Sequence, residues 1–260
     1  GVSLGRVAYK TFPLTAENNF LPDLDAIPEE TARCAKFIYI NYPNNPTGAV
    51  ATKVFYEKLV AWAKTYEVGV VSDLAYGALG YRGYENPSFL STPGAKDVGI
   101  EFYTFSKTFN MAGWRLAFAA GNDQMIEALN LIQDHLFVGI FPALQEAGIA
   151  ALLDPKSEEA VAQLNATYDS RRDAFVQAAA KIGWKAFPSK GSFYAWMPVP
   201  EGYTSESFAD LLLEKAHVAV APGKGFGPAG DAYVRIGLLV EPERLVEAVD
   251  RIANLQLFNN

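Results

Sequence analysis

Short apolar runs alternate with segments of helical periodicity in the first half of the chain, a pattern that predicts an α/β architecture. Four apolar runs are short and continuous enough to predict buried strands, over residues 37–40, 69–72, 102–105 and 116–120. The aromatic residues Tyr39, Phe102 and Phe105 within these runs are expected in the core. Between the first two runs, apolar side chains recur at helical spacing from Phe55 to Tyr66. Strands that alternate with helices in this way favour a mainly parallel sheet.

The second half of the chain is predicted to be organised differently. From about Asp123 the apolar positions predict helices over residues 123–138 and 143–153, then a long amphipathic helix over residues 157–182. Shorter strands and helices follow in alternation, over residues 192–197, 205–216, 218–221, 233–238 and 243–255. We therefore expect a large domain, residues 1–153, and a smaller C-terminal α+β domain, residues 154–260, entered by the long helix.

Composition and charge narrow the classes of function. The 260 residues include 22 Lys and Arg against 29 Asp and Glu, a net charge of -7 without a basic cluster, so we expect no nucleic-acid partner. No apolar run approaches the about 18 residues of a membrane-spanning helix, so we expect no membrane association. Cys34 is the only cysteine, which argues against a disulfide framework and favours a cytoplasmic location. Because His135 and His217 are the only histidines, we also expect no catalytic metal.

Polar side chains follow three successive predicted strands at the point where each strand ends. Asn45 lies in the loop after the first strand, Asp73 directly follows the second, and Ser106 and Lys107 follow the third. Ligands of open α/β sheets bind outside the carboxyl ends of the strands. The sequence therefore predicts one crevice that contains an amide, a carboxylate, a hydroxyl and an amine.

A lysine beside a carboxylate and hydroxyls can form a Schiff base with a carbonyl compound, and pyridoxal phosphate (PLP) accounts for the other groups as well. An aspartate keeps the pyridine nitrogen protonated, an asparagine or tyrosine contacts the ring hydroxyl, and hydroxyls with an arginine bind phosphate. Taken alone, each residue has an ordinary explanation. Asp73 could cap a helix, the Asn45 loop could be a simple turn, and Arg115 could form a surface ion pair. Their order along the chain favours the cofactor hypothesis.

Four motifs occur in a characteristic order. They are YPNNPTGA over residues 42–49, SDLAYG over 72–77, TFSKTFNMAGWRLA over 104–117 and YVRIG over 233–237. On these motifs the sequence resembles the class I and II aminotransferases of PLP-dependent fold type I, and the resemblance covers essentially the whole chain. It implies an α/β fold with a mainly parallel sheet in the large domain, and PLP as the cofactor.

The resemblance implies a role for each matching residue of the reaction centre. Lys107 would be the Schiff-base lysine, Asp73 would pair with the pyridine nitrogen, and Tyr76 would donate to the ring hydroxyl. These three are the expected catalytic residues. Asn45 would contact both the ring hydroxyl and the substrate, and Arg235 would bind the substrate α-carboxylate.

The third motif is expected to bind the phosphate of PLP. By the resemblance, Thr104 and Ser106 would supply hydroxyls and Arg115 a guanidinium. Family members more often have serine at the position of Thr104, and the hydroxyl is retained here. The phosphate role is therefore carried over to all three residues.

Longer segments bear on the substrate. YINYPNNPTGAVAT, YTFSKTFNMAGWR and EGYTSESFADLLLEKA look most similar to the aminotransferases of methionine salvage, which convert 4-methylthio-2-oxobutanoate to methionine with a donor such as glutamine. LL-diaminopimelate, aspartate and aromatic aminotransferases share nearly all the same cofactor residues. Two other functions stay open: a PLP-dependent carbon–sulfur β-lyase of the same fold, and a non-catalytic chain that is a truncated product or a ligand-sensing domain.

The resemblance also concerns the length of the chain. Compared with the family, roughly the first third is expected to be absent, and Gly1 aligns inside the large domain. The absent part would contain a glycine-containing phosphate loop, the aromatic residue that stacks on the PLP ring, and contacts to the partner in a homodimer. We therefore expect the 260-residue chain alone to bind PLP poorly and to be inactive.

Overall fold

The computed structural model describes residues 5–258, and the expected alignment of Gly1 lies outside them. Its first half contains a four-stranded sheet with the strands adjacent in the order β1 (Phe37–Asn41), β2 (Gly69–Asp73), β3 (Gly99–Thr104) and β4 (Ala117–Gly121). β1, β2 and β3 are parallel, and β4 runs antiparallel to β3. The predicted α/β fold with a mainly parallel sheet is confirmed, so the carboxyl ends of three strands meet at one edge.

Helix α2 covers one side of this sheet. The helices of this region are α1 (Glu29–Cys34), α2 (Lys53–Tyr66), α3 (Ala95–Val98) and α4 (Phe105–Thr108). α2 begins where the Thr52 hydroxyl accepts a hydrogen bond from the Phe55 backbone N–H at 3.1 Å. It ends at Tyr66, and the next residue, Glu67, has a left-handed backbone with φ 56°. Its apolar side packs against β1 and β2, as the helical spacing predicts.

The two faces of the sheet differ in burial. Ile38 and Ile40 of β1 are buried in the cluster that includes α2, whereas Phe37 and Tyr39 lie on the opposite face and are each 61% exposed. The expectation that this apolar run is buried on both faces is wrong, because in the described part of the chain α2 packs against only one of them. Tyr39 is therefore not a core residue.

The third strand lies earlier in the chain than its apolar run predicts. β3 begins at Gly99 and ends at Thr104, and Phe105 is the first residue of α4. The change of structure has a local cause, because the Thr104 hydroxyl accepts a hydrogen bond from the Ser106 backbone N–H at 3.2 Å. As a result, Ser106 and Lys107 lie on a helical turn directly after the strand.

Three helices follow the sheet as predicted, α5 (Asp123–Leu136), α6 (Pro142–Leu153) and the long α7 (Ser157–Lys181). Apolar side chains near the junction of α5 and α6 are exposed, among them Leu136 at 70%, Val138 at 86% and Phe141 at 70%. Within residues 5–258, no helix combines the length and the apolar composition needed to cross a membrane.

The C-terminal part contains an antiparallel sheet in the order β5 (Tyr194–Pro198), β7 (Tyr233–Gly237) and β6 (Ala221–Pro222). It lies with helices α8 (Ser205–Leu211) and α9 (Pro242–Ala253), and α8 continues as a π-helical turn over Leu212–Ala216. The strand predicted over residues 218–221 starts later than expected. The Val218 N–H donates a hydrogen bond to the Leu212 carbonyl at 3.1 Å, so residue 218 still belongs to the C-terminal end of the helix. Strand pairing therefore starts only at Ala221.

Two large hydrophobic clusters form most of the core of the described residues, and a smaller third one contains Phe105, Met111 and Leu116. One surrounds β1, β2 and α2, and the other surrounds α7, α9 and the antiparallel sheet. Tyr76, Leu79 and Tyr81 follow β2 in the chain but belong to the second cluster. The Asn165 side chain of α7 donates to the Ala78 carbonyl at 2.9 Å and ties the same segment to the long helix. The segment after β2 therefore joins the two clusters.

Gly80 lies in this joining segment, where it forms an isolated β-bridge with Gly191. A Cβ atom at residue 80 would lie 1.7 Å from the Tyr84 carbonyl oxygen, a backbone atom that cannot turn aside as a side chain can. We expect Gly80→Ala to lower the free energy of unfolding by about 3 kcal/mol, measured by urea denaturation. Gly225→Ala is the matched control, because a Cβ there would meet nothing within 4 Å. Equal effects of the two changes would contradict the steric argument.

Candidate active site

Asn41, the last residue of β1, connects the ends of neighbouring parallel strands by side-chain hydrogen bonds. The register pairs Asn41 with Asp73 and Asp73 with Phe102, so these three residues lie side by side at the edge of the sheet. The Asn41 amide donates to the Asp73 backbone carbonyl at 3.0 Å, and its oxygen accepts from the Asn45 backbone N–H at 2.9 Å. Asn41 thereby links two of the predicted site residues, a role that sequence reasoning missed.

The loop that presents Asn45 is held by its own side chains. The Asn44 oxygen accepts from the Thr47 hydroxyl at 2.8 Å and from the Thr47 backbone N–H at 3.2 Å. Gly48 has φ +71°, and a Cβ there would lie 2.5 Å from the Ser189 Cβ, so glycine is required at this close approach. The loop is therefore a defined turn, as its sequence predicts, and its side chains also contact other segments of the chain.

Arg235 of β7 reaches this loop. Its Nη1 donates to the Asn45 side-chain oxygen at 2.8 Å. The guanidinium carbon lies 4.3 Å from the centre of the Tyr194 ring and 4.6 Å from that of Phe226. Two aromatic rings and one amide therefore orient a planar cation that can bind a carboxylate in a two-pronged manner. The structure brings together Asn45 and Arg235, and adds Tyr194 and Phe226, which the sequence motifs did not indicate.

Asp73 is half-buried, and each of its carboxylate oxygens accepts a hydrogen bond. Tyr39 donates its hydroxyl to Oδ2 at 3.1 Å, and the Ala75 backbone N–H donates to Oδ1 at 3.1 Å. Residues 74–77 form a turn, so Asp73 does not cap a following helix. Burial and the nearby Asp73 charge raise the pKa of Tyr39 to about 12, so its hydroxyl stays protonated and available as a donor.

Tyr76 and Lys107 both lie close to the Phe193 ring. The Tyr76 and Phe193 ring centres are 5.2 Å apart in an edge-to-face contact, and the Lys107 Nζ lies 5.4 Å from the centre of the Phe193 ring. Burial, the adjacent Tyr194 hydroxyl and the Asp73 charge raise the pKa of Tyr76 well above its usual value. Tyr76 is therefore a neutral hydrogen-bond donor.

Thr104, Ser106 and Arg115 lie at the loop between β3 and β4. The Thr104 hydroxyl lies 2.9 Å from the Ser106 hydroxyl and 3.3 Å from the carbonyl of Leu116, the residue after Arg115, and its single proton can be donated to either oxygen. Arg115 is exposed and left-handed with φ 54°, and its Nη1 donates to the Ala112 carbonyl at 3.0 Å. The Thr104 and Ser106 hydroxyls are therefore in contact, and Arg115 lies close to them along the backbone of the same loop. Among residues 5–258, no group of three His, Cys, Asp or Glu side chains is arranged to hold a metal.

A protein-family model matches almost the whole chain and shows the family to which the chain belongs. The family model described as aminotransferase class I and II matches residues 1–252. The chain belongs to this family. The resemblance predicted from the four motifs is confirmed, and members of the class I and II aminotransferase family use PLP.

Known relatives of this aminotransferase-family chain are longer than it is. The L-glutamine--4-(methylsulfanyl)-2-oxobutanoate aminotransferase of Bacillus subtilis is 55% identical over 99% of this chain and 64% of its own length. The LL-diaminopimelate aminotransferase of Moorella thermoacetica is 50% identical over 92% of this chain and 61% of its own length. The solved structure of apo-BacF from Bacillus subtilis matches with a TM-score of 0.94 at 45% identity, over 100% of this chain and 66% of that one. The chain thus spans less than two thirds of these relatives.

Proposed function

We propose that this chain carries the cofactor-binding and carboxylate-binding residues of an aminotransferase that moves an amino group between an amino acid and a 2-oxo acid. The single observation that carries the proposal is the Arg235 guanidinium, oriented by Asn45, Tyr194 and Phe226, at the same edge of the sheet as Asp73. A fixed arginine at this place matches the one charged group that every α-amino and 2-oxo acid shares, its carboxylate.

The residues present fit PLP. A carboxylate at the end of β2 suits the pyridine nitrogen, and the neutral Tyr76 hydroxyl suits the ring oxygen. A lysine beside Phe193 suits the aldehyde, and the Thr104 and Ser106 hydroxyls suit the phosphate. Arg115, which follows in the same loop, adds the positive charge that a phosphate requires. When bound, PLP supplies an electron sink for the negative charge that develops at the substrate α-carbon.

Each side chain has a separate task in this proposal. Asp73 would hold a proton on the pyridine nitrogen, and Tyr76 would donate to the ring oxygen, which Asn45 would also contact while it supports Arg235. Arg235 would bind the substrate carboxylate and thereby fix the α-carbon. The Lys107 amine would take the α-proton and later give it up, since a positioned amine can act as base and then as acid.

For the substrate, we propose 4-methylthio-2-oxobutanoate as amino acceptor and glutamine as donor, with methionine as product. The support is the 55% identity to the Bacillus subtilis relative, whose name specifies this pair. The 50% identity to an LL-diaminopimelate aminotransferase makes diaminopimelate the main competing substrate. Activity measured with a panel of amino donors and acceptors distinguishes the two candidate substrates. 4-Methylthio-2-oxobutanoate has an uncharged thioether, whereas diaminopimelate has a second charged end.

The test uses a chimera in which this chain replaces the matching part of the Bacillus subtilis relative. We expect amino transfer to 4-methylthio-2-oxobutanoate to have the highest kcat/KM of the panel, measured by methionine formation. Preference for diaminopimelate or a dicarboxylate would contradict the substrate, and release of pyruvate from cystathionine without amino transfer would favour the β-lyase instead. Comparison with the 260-residue chain tests the further expectation that this chain alone binds PLP weakly and is inactive, since Arg115 and Tyr39 are exposed.

We also propose a domain boundary, an assembly and a location. The two hydrophobic clusters support a large domain over residues 1–153 and a small domain over residues 154–260, with α7 as connector. The exposed Leu136, Val138 and Phe141 support a homodimer in the whole protein, because a neighbouring subunit would remove them from water. The single exposed Cys34 is compatible with a cytoplasmic location.

A further inference from the structure

Tyr39 has an unusual environment for an aromatic residue in the middle of a strand. Its hydroxyl lies 3.1 Å from Oδ2 of Asp73, a polar contact that an apolar residue at this position could not make. Asn41, two residues further on the same face of β1, donates to the Asp73 backbone carbonyl at 3.0 Å. One face of β1 thus contacts Asp73 twice, once at the backbone and once at the carboxylate.

We propose that Tyr39 is a positioning residue for Asp73: its hydroxyl orients the carboxylate toward the pyridine nitrogen. The inference rests on the proposed function, because it concerns the same cofactor site. With the Ala75 N–H on Oδ1 and the Tyr39 hydroxyl on Oδ2, both oxygens are held and the carboxylate plane is fixed. Each oxygen keeps a second lone pair for a further donor.

The contribution of Tyr39 follows from what remains without it. In Tyr39→Phe the ring is retained, and only the Ala75 N–H holds the carboxylate, which can then rotate about its bond to Cβ. Free rotation of the carboxylate weakens its interaction with a protonated ring nitrogen.

The first measurement is the PLP dissociation constant of the chimera, determined by fluorescence titration. We expect Tyr39→Phe to raise it about tenfold, and to leave the free energy of unfolding of the 260-residue chain unchanged, since its ring is mostly exposed there. Tyr203→Phe is the matched control, because Tyr203 is also partly exposed, at 38%, and packs near Phe208 in the other cluster. The control is expected to bind PLP as the wild type does.

The second measurement does not depend on PLP. Carbon-13 labelling of the tyrosine ring allows the Tyr39 resonance to be assigned by its loss in Tyr39→Phe and followed between pH 9 and 12.5. We expect Asp73→Asn to make this resonance titrate at lower pH than in the wild type, because the negative charge that opposes ionisation of the phenol is removed. Other tyrosine resonances should keep their titration, apart from that of Tyr76, whose pKa Asp73 also affects.

The two measurements separate the inference from the proposed function. Borohydride trapping of PLP on Lys107 in the wild-type chimera, together with an unchanged PLP affinity in the Tyr39→Phe chimera, would overturn the role of Tyr39 and leave the proposed function standing. Absence of trapping would count against the proposed function, and the tyrosine titration then decides whether Tyr39 and Asp73 are coupled. An unchanged Tyr39 titration in Asp73→Asn would also overturn the inference.

Discussion

Replacing Lys107 with alanine is expected to lower kcat for amino transfer in the chimera by about four orders of magnitude. One side chain supplies both the amine that binds the aldehyde of PLP and the base that moves the α-proton, so its loss removes two contributions at once. Borohydride reduction in the presence of PLP, followed by peptide mass spectrometry, measures attachment directly. The wild type should retain a pyridoxyl group on Lys107, and Lys107→Ala should retain none.

Two further variants make this result specific. Lys107→Arg keeps a positive charge at the same place but presents no free amine, and it is expected to be as inactive as the alanine variant. Lys58→Ala removes an exposed lysine on α2 and should behave as the wild type. Trapping of PLP on a different lysine, or a kcat of Lys107→Ala within about tenfold of the wild type, would rule out the assignment.

The second large effect is expected at Arg235. Arg235→Lys should lower kcat/KM for amino acids by about a thousandfold, which corresponds to about 4 kcal/mol of transition-state stabilisation. A lysine keeps the charge but cannot lie flat between the rings of Tyr194 and Phe226, nor bond to Asn45 and a carboxylate with one rigid fork. We expect most of the loss in KM, because the carboxylate is bound throughout the reaction.

The substrate itself provides one control for this prediction. With an amine that lacks a carboxylate, the wild type and Arg235→Lys should differ little, since neither can use the lost contact. Arg244→Lys is the matched protein control, because Arg244 is exposed and pairs with Glu247 at 2.6 Å on α9. A large loss with the carboxylate-free amine would mean that Arg235→Lys disturbs the fold and not substrate recognition.

Much of the fold was predictable because it is governed by local signals. Apolar runs indicate β1 and β2, the Thr52 cap and the helical spacing indicate α2, and the parallel order places Asn45 and Asp73 at one edge. The motif around Lys107 is equally local, since strand, cap and helical turn succeed each other within a few residues. These features depend on neighbours in sequence, and one sequence is enough to read them.

The rest depends on contacts between distant segments. Arg235 and Asn45 are 190 residues apart, and the rings that flank the guanidinium come from β5 and from the loop before β7. Tyr39 is an aromatic residue within an apolar run, as a core residue would be. Only the exposure of its side chain and its hydrogen bond to Asp73 reveal a polar role. Periodicity reports which positions are apolar, but it does not report whether another element covers them.

The antiparallel pairing of β4 has a consequence for how such a site can be altered. Because Thr104 pairs with Ala117, residues 105–116 form one closed loop that contains both Lys107 and Arg115. The spacing between the amine and the guanidinium is thus a property of a single hairpin, whereas Asp73 is anchored on a different strand. An insertion in the hairpin shifts Lys107 and Arg115 relative to Asp73. Exchange of the entire hairpin with that of a relative transfers Lys107 and Arg115 together. Grafting at the Thr104–Ala117 pair is therefore the natural way to recombine this site.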